Sequence, residues 1–210
     1  MPKTKRARKR TTTLSKLRKD ITMLKKKNSH ERSVKDDDFV TAVSTSTGNL
    51  INCFQTEQGD DYDQRNGLAI IAKSIHCNGL VQRMDSTNIV RIMVVQFESS
   101  ADNSIANFLQ YPNADATYLY RPVYSPFKVN GDCKYKILAD KRYKVDAQNE
   151  HAVIDFKIDV PKSSNVMKYT STVSQIPQSN PITIFAVSDS NAINHPCIFF
   201  TQKLLHRSRG

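Results

Sequence analysis

After about residue 36 apolar and polar side chains alternate with period two, and this pattern restricts the chain to a fold built from β-strands. The clearest case is 153–160, where Ile154, Phe156, Ile158 and Val160 share one face and Asp155, Lys157 and Asp159 the other. Such a strand buries one side only. Residues 134–145 alternate similarly, setting Tyr135, Ile137, Ala139, Tyr143 and Val145 against Lys134, Lys136, Asp140, Arg142 and Lys144. Further strands are expected over 39–54, 68–81, 89–97, 182–187 and 197–204, with a helical turn over 104–109 and an extended stretch at 118–120. Residues 89–95 are almost continuously apolar, as in a strand that is central or covered on both faces. Turn-formers punctuate these runs: Gln58-Gly59-Asp60-Asp61, Asn78-Gly79, Asn130-Gly131-Asp132, Pro161-Lys162-Ser163-Ser164 and Asn194-His195-Pro196. Seven or eight strands without a long central helix indicate an all-β, antiparallel two-sheet sandwich, either a jelly roll or immunoglobulin-like. The immunoglobulin signature sets a cysteine pair around a core Trp, and the chain has no Trp.

The 210 residues suit one domain with an appendage, and charge locates the boundary. Of 31 Lys and Arg residues, 13 fall in residues 1–32 against only Asp20 and Glu31, so this stretch holds the entire net charge of +11. Residues 33–210 contain 18 charges of each sign. The expected organisation is a basic arm, 1–32, and a neutral β domain, 33–210. Within the arm, residues 2–10 (PKTKRARKR) repel one another too strongly to fold alone and read as a tail or a nuclear-import address. Over about 13–27 the spacing of Leu14, Leu17, Ile21 and Leu24 predicts an amphipathic helix. A lone helix of about 15 residues is marginal in water, so it orders when phosphates screen its charge or other copies cover its seam, and otherwise frays. The arm has no aromatic residue, so it suits neutralisation of a phosphate backbone rather than base reading. The expected nucleic-acid-binding residues are Lys3, Lys5, Arg6, Arg8, Lys9, Arg10, Lys16, Arg18, Lys19, Lys25, Lys26 and Lys27. A stripe without Trp or Phe argues against a membrane partner.

Signatures of other classes are missing. No run of about 18 apolar residues is present to span a bilayer, and the N-terminus lacks the apolar core of a secretory signal. Cys53, Cys77, Cys133 and Cys197 are far apart and read as reduced, buried fillers, which places the chain in cytoplasm or nucleus. The six glycines form no phosphate-binding loop. His30, His76, His151, His195 and His206 are isolated, each expected at a strand end or turn, and no H-E-x-x-H or H-x-H pair exists for a metal. Asp60, Asp61 and Asp63 could offer oxygens to calcium, especially between copies, but a single acidic loop rarely completes a site, and a solvated turn with Asp caps and Arg65 pairing locally is the preferred reading. The chain is not expected to be an enzyme.

The segment Gly48-Asn49-Leu50-Ile51, followed by Gln58-Gly59-Asp60-Asp61-Tyr62-Asp63-Gln64-Arg65-Asn66-Gly67 and the strand after it, resembles the coat proteins of satellite tobacco necrosis virus and of small circular single-stranded DNA viruses. Residues 88–95, the Tyr-x-Ile-Leu-x-Asp pattern of 135–140, and the stretches 182–189 and 197–201 continue the likeness in order. The resemblance implies a single eight-stranded antiparallel jelly roll and about 60 copies in an icosahedral shell. It also implies inward-pointing basic arms, whose seam of Leu14, Leu17, Ile21 and Leu24 packs beneath the three-fold axes. Calcium between subunits is known in the satellite coat. Here Asn66 and Ala69 match positions that offer carbonyls, beside Asp60, Asp61 and Asp63 as weak candidates.

The expectation is therefore a capsid protein that packages a single-stranded viral genome, with circular DNA favoured over RNA because residues 2–10 imply nuclear import receptors as partners. It would reside in the virion and, during assembly, in the host nucleus. The alternative is a nucleic-acid-binding nuclear shuttle or movement protein that builds no shell. About 60 arms at +11 supply roughly 660 positive charges, enough for that many nucleotides.

Overall fold

A computed structural model describes residues 33–43, 49–59, 63–84, 87–112, 122–129, 131–190 and 195–208, together with Lys19 and Asp61. The chain divides into two units, Met1–Arg32 and Ser33–Gly210. In the first only Lys19 is described, and it is helical and exposed. The expected helix over 13–27, its apolar seam and the 2–10 cluster otherwise lie outside the described residues, as does the stretch at 118–120.

Nine strands occur among the described residues of the second unit: β1 (Ser33–Ala42), β2 (Asn49–Cys53), β3 (Ala69–Gln82), β4 (Asn88–Phe97), β5 (Tyr135–Val145), β6 (His151–Asp159), β7 (Val166–Lys168), β8 (Ile182–Ser188) and β9 (Cys197–Ser208). They form two antiparallel sheets, ordered β1-β9-β3-β6 and β2-β8-β4-β5, with the three-residue β7 added beside β3. Leaving β7 aside, the first strand pairs with the last, the second with the seventh, the third with the sixth and the fourth with the fifth. One long hairpin folded over itself produces this nesting, and it is the connectivity of an eight-stranded jelly roll.

The alternation read from the sequence fills the space between the sheets. Ile154 is buried, Phe156 and Ile158 pack beside the core, and Val160 closes the row, while Asp155, Lys157 and Asp159 are exposed. From β9 the residues Ile198, Phe200, Gln202, Leu204 and His206 turn inward. The opposing sheet contributes Val90, Ile92, Val94, Ile182, Ile184 and Ala186.

β4 and β8 are buried along nearly their whole length because the second sheet is covered on its outer side as well. Met93, Val95, Phe97, Phe185 and Val187 point away from the inter-sheet core and meet Phe108, Leu109 and Val123 from the β4–β5 connection. The rings of Phe97, Phe108 and Phe185 lie 5.0–6.1 Å apart in tilted or edge-on pairs, a geometry worth about 0.5–1.5 kcal/mol per pair beyond burial. The expected turn over 104–109 appears here as a short 3-10 helix, Ile105–Asn107, capped by the Ser104 hydroxyl.

Four expectations need correction. The single strand over 39–54 is two, β1 and β2, which belong to different sheets. The short β7 had no sequence counterpart. In β5, Ala139 pairs with Val94 and Ile137 with Val95, so Leu138 is an extra, bulged residue. The bulge reverses the facing: Leu138, Ala139, Tyr143 and Val145 pack on the inter-sheet core, whereas Tyr135 and Ile137 pack on the outer cluster. Finally, Asn78-Gly79 lies inside β3 instead of forming a turn, paired to β6 on one side and β9 on the other. A Cβ on Gly79 would stand 2.0 Å from the Phe199 carbonyl oxygen, so glycine is required there by close backbone approach. Gly79→Ala should cost about 1–3 kcal/mol by forcing β3 and β9 apart. A urea midpoint equal to that of the wild type would show that no such constraint exists.

Candidate functional site

The loop joining β2 to β3 contains the acidic group, and Arg65 organises it. Its backbone N–H donates to the Glu57 carbonyl (2.8 Å) and its own carbonyl accepts from Gly59 N–H (3.2 Å), closing the loop on itself. The side chain then turns inward and is fully buried. Nε donates to Thr56 O (3.2 Å), Nη1 to Gly67 O, and Nη2 to Ser171 O (3.0 Å), Thr172 O (3.3 Å) and Ser174 O (2.7 Å). The guanidinium also lies 3.9 Å from the centre of the Tyr169 ring. Burial pulls the Arg65 pKa below the ordinary arginine value, and Tyr169 pushes it partly back. Arg65 therefore pins this loop to the β7–β8 connection and, among the described aspartates, pairs with neither Asp61 nor Asp63, contrary to the local pairing expected for a solvated turn.

The acidic residues themselves diverge. Asp61 is exposed, and its N–H takes the Gln64 side-chain oxygen at 3.2 Å. Asp63 turns toward Lys35 of β1 (3.9 Å), which also meets Asp37 (3.4 Å). Asn66 is exposed and donates its backbone N–H to Ser208 Oγ (2.7 Å), and Ala69 opens β3 opposite Lys168. Asp60 lies outside the described residues. Among the described residues no three His, Cys, Asp or Glu side chains converge as metal ligands would.

A second buried cation, Arg91, sits in the apolar run of β4. It makes a bidentate pair with Asp140 of β5 (2.7 and 2.9 Å), donates to Ser125 O (2.7 Å) and Pro122 O (3.3 Å), and lies 4.9 Å from the Phe127 ring centre. Nε and Nη2 fork onto the carboxylate while Nη1 takes the two carbonyls, an arrangement that the planar guanidinium suits. This clamp holds residues 122–127 over the outer face of the second sheet. The signal for it was visible as a lone Arg within 89–95, since a charge in a strand buried on both faces needs a partner.

The histidines and cysteines offer no reactive constellation among the described residues. His151 begins β6 and His195 precedes Pro196, as expected, but His76 and His206 lie within strands. His76 stands 3.7 Å from Asp155 on the solvent face. His206 is fully buried, with neither ring nitrogen hydrogen-bonded. Cys77 is a buried free thiol whose pKa is pushed up to about 12 by desolvation, so it is an inert filler. Cys133 and Cys197 are half-buried and free. Of the expected nucleic-acid-binding residues, Lys3, Lys5, Arg6, Arg8, Lys9, Arg10, Lys16, Arg18, Lys25, Lys26 and Lys27 lie outside the described residues, and Lys19 is exposed.

No protein-family model and no curated protein matches the chain. Among solved structures it is similar to a chain of Desmodium yellow mottle tymovirus, with 7% identity, 84% of this chain and 88% of that one covered, and a TM-score of 0.32. A chain of mud crab dicistrovirus is similar with 13% identity, coverages of 85% and 69%, and a TM-score of 0.31. The CBM22-1–GH10 modules of Clostridium thermocellum endo-1,4-beta-D-xylanase 10B match with 12% identity, coverages of 85% and 27%, and a TM-score of 0.26. The jelly-roll assignment rests on the strand pairings described above.

Replacing Arg65 with lysine leaves one point charge where a fork bridged two loops, so Arg65→Lys should lower stability by about 2–4 kcal/mol; chemical denaturation that finds less than half of this would remove Arg65 from its pinning role. His206 generates a pH effect of definite sign. Burial lowers its pKa from 6.5 to about 4, with Asp63 acting weakly in the opposite direction. The unfolded chain therefore takes up a proton that the folded chain refuses, and stability falls as pH drops from about 6.5 to 4, by about 2–3 kcal/mol at pH 4.5. In His206→Leu that slope should vanish, and an equal slope in both proteins would assign it to other groups.

Proposed function

We propose that the chain is a viral coat protein: the β domain self-assembles into a small closed shell, and the basic arm gathers single-stranded nucleic acid within it. The observation that supports this most directly is the segregation of charge. All of the +11 lies in residues 1–32, and residues 33–210 balance at 18 charges of each sign. A neutral jelly roll lets copies approach without long-range repulsion, and a dense cationic arm releases counterions from a phosphate backbone. The two tasks conflict on one surface, because a body basic enough to bind the genome would repel its own copies.

Within this reading the side chains of the arm act as point charges, Lys3, Lys5, Arg6, Arg8, Lys9 and Arg10 first among them. They set affinity without selecting sequence. The same cluster addresses the protein to the nucleus, which favours circular DNA as the genome. Calcium has one place in this scheme, beside the exposed Asp61, where a neighbouring copy would complete the oxygen shell; Asp63 is already engaged by Lys35.

Deletion of residues 1–27 should leave the β domain folded, with unchanged far-ultraviolet circular dichroism, while the nucleic acid co-purifying with particles falls by roughly tenfold or more. Particles whose absorbance ratio at 260 and 280 nm is unaltered by the deletion would refute the role of the arm. Light scattering of the full chain separates the coat from a shuttle protein: megadalton spheres are expected, and a stable monomer or dimer would favour the shuttle.

A further inference from the structure

The solvent face of the β1-β9-β3-β6 sheet bears an unusual row. Cross-strand register sets Val40 opposite Phe199, Phe199 opposite Leu80 and Leu80 opposite Val153. Four apolar side chains thus cross the whole width of the sheet at one level, where half-buried strands normally present polar residues to water. Val40 and Val153 are 71% and 75% exposed, Phe199 38%, and Leu80 is half-buried. One level along the strands lie Asp38, Thr201, Asn78 and Asp155; on the other side of the row lie Ala42, Cys197, Gln82 and His151. Asp38 accepts from the Thr201 hydroxyl at 2.6 Å, and Asp155 stands 3.7 Å from His76.

We propose that this face packs against the same face of a second copy, about a two-fold axis that runs along the row. Four strands at about 4.8 Å spacing and nine residues at about 3.3 Å give a face of about 19 by 30 Å, which buries about 1,100 Å² over both copies, above the roughly 1,000 Å² that separates biological contacts from incidental ones and just below the range of stable pairs. Charge selects the axis. A two-fold parallel to the strands would stack Asp38 on Asp155 of the other copy, like upon like. A two-fold along the row sets Val153 on Val153 and Phe199 on Phe199, with Asp155 over His151 and Asn78 over Gln82, as an isologous contact requires. With Asp38 and Asp155 beside the row and Lys203 and Lys157 one level further out, the face is mixed in sign and offers no continuous cationic strip to a polyanion. An interface of this size is weak alone and gains strength when several such contacts close a shell together. The inference rests on the self-assembly reading for its setting, but the contact itself needs only two copies.

The test uses the full-length chain. Val153→Cys places a thiol at the axis, and mild oxidation should yield at least tenfold more disulfide-linked dimer than the wild type or Val129→Cys, whose site is 93% exposed and lies on the β4–β5 connection. Cross-linking at Val153 no greater than at Val129 overturns the contact. The double variant Val40→Asp/Val153→Asp alters only exposed positions and should keep its circular dichroism spectrum while particle yield falls at least tenfold. Undiminished particles would overturn the contact and leave the coat reading standing. A wild type that forms no particles yet cross-links at Val153→Cys would do the reverse.

Discussion

In β4, Val90, Ile92 and Val94 pack between the sheets, while Met93, Val95 and Phe97 pack on the opposite side beneath the β4–β5 connection. A strand can be apolar on both faces only if something besides the facing sheet covers its back, and that requirement shapes the whole domain. It explains why a connection as long as 98–134 is retained, and why Phe108, Leu109 and Val123 occur within it. It also explains the buried guanidinium of Arg91, whose bonds to Asp140, Pro122 and Ser125 join the central sheet, its edge strand and the covering segment. Without that cover, about half of β4 would present apolar surface to water.

Arg91 and Arg65 share a design. Each is a cation removed from solvent with an aromatic ring beside it, Arg65 held by carbonyl oxygens alone and Arg91 by the Asp140 carboxylate and two carbonyls. Both hold long connections that have little regular pairing of their own. Burying such groups is costly unless nearly every donor finds an acceptor, so each arginine enforces one arrangement of its loops. These two contribute positive charge to the body without displaying it, and the described surface that remains is mixed in sign. The basic arm is thus the main cationic element that the chain can offer to a polyanion.

The solvent face of the first sheet adds a third element to this division. Asp38 and Asp155 are engaged with Thr201 and His76 on the same face, and its most exposed apolar side chains are valines at the two outer strands, with Phe199 and Leu80 between them. A surface of that kind gains little from a charged partner and something from a copy of itself.

Period two in 153–160 and the continuous apolar run of 89–95 were sufficient to place β6 and β4 and to predict which residues of β6 face inward, because side-chain alternation is a local property of a strand. The separation of a cationic arm from a neutral body was likewise written in composition. Register was not. The bulge at Leu138, the passage of Asn78-Gly79 through the middle of β3, the inward turn of Arg65 and the alignment of Val40, Phe199, Leu80 and Val153 all depend on which residue of one strand lies opposite which residue of another. Those pairings join positions tens of residues apart, and in β1–β9 and β3–β9 more than a hundred, and are set by how two sheets close on a shared core. A single sequence states what each strand wants to bury, and only the packed fold decides what it meets.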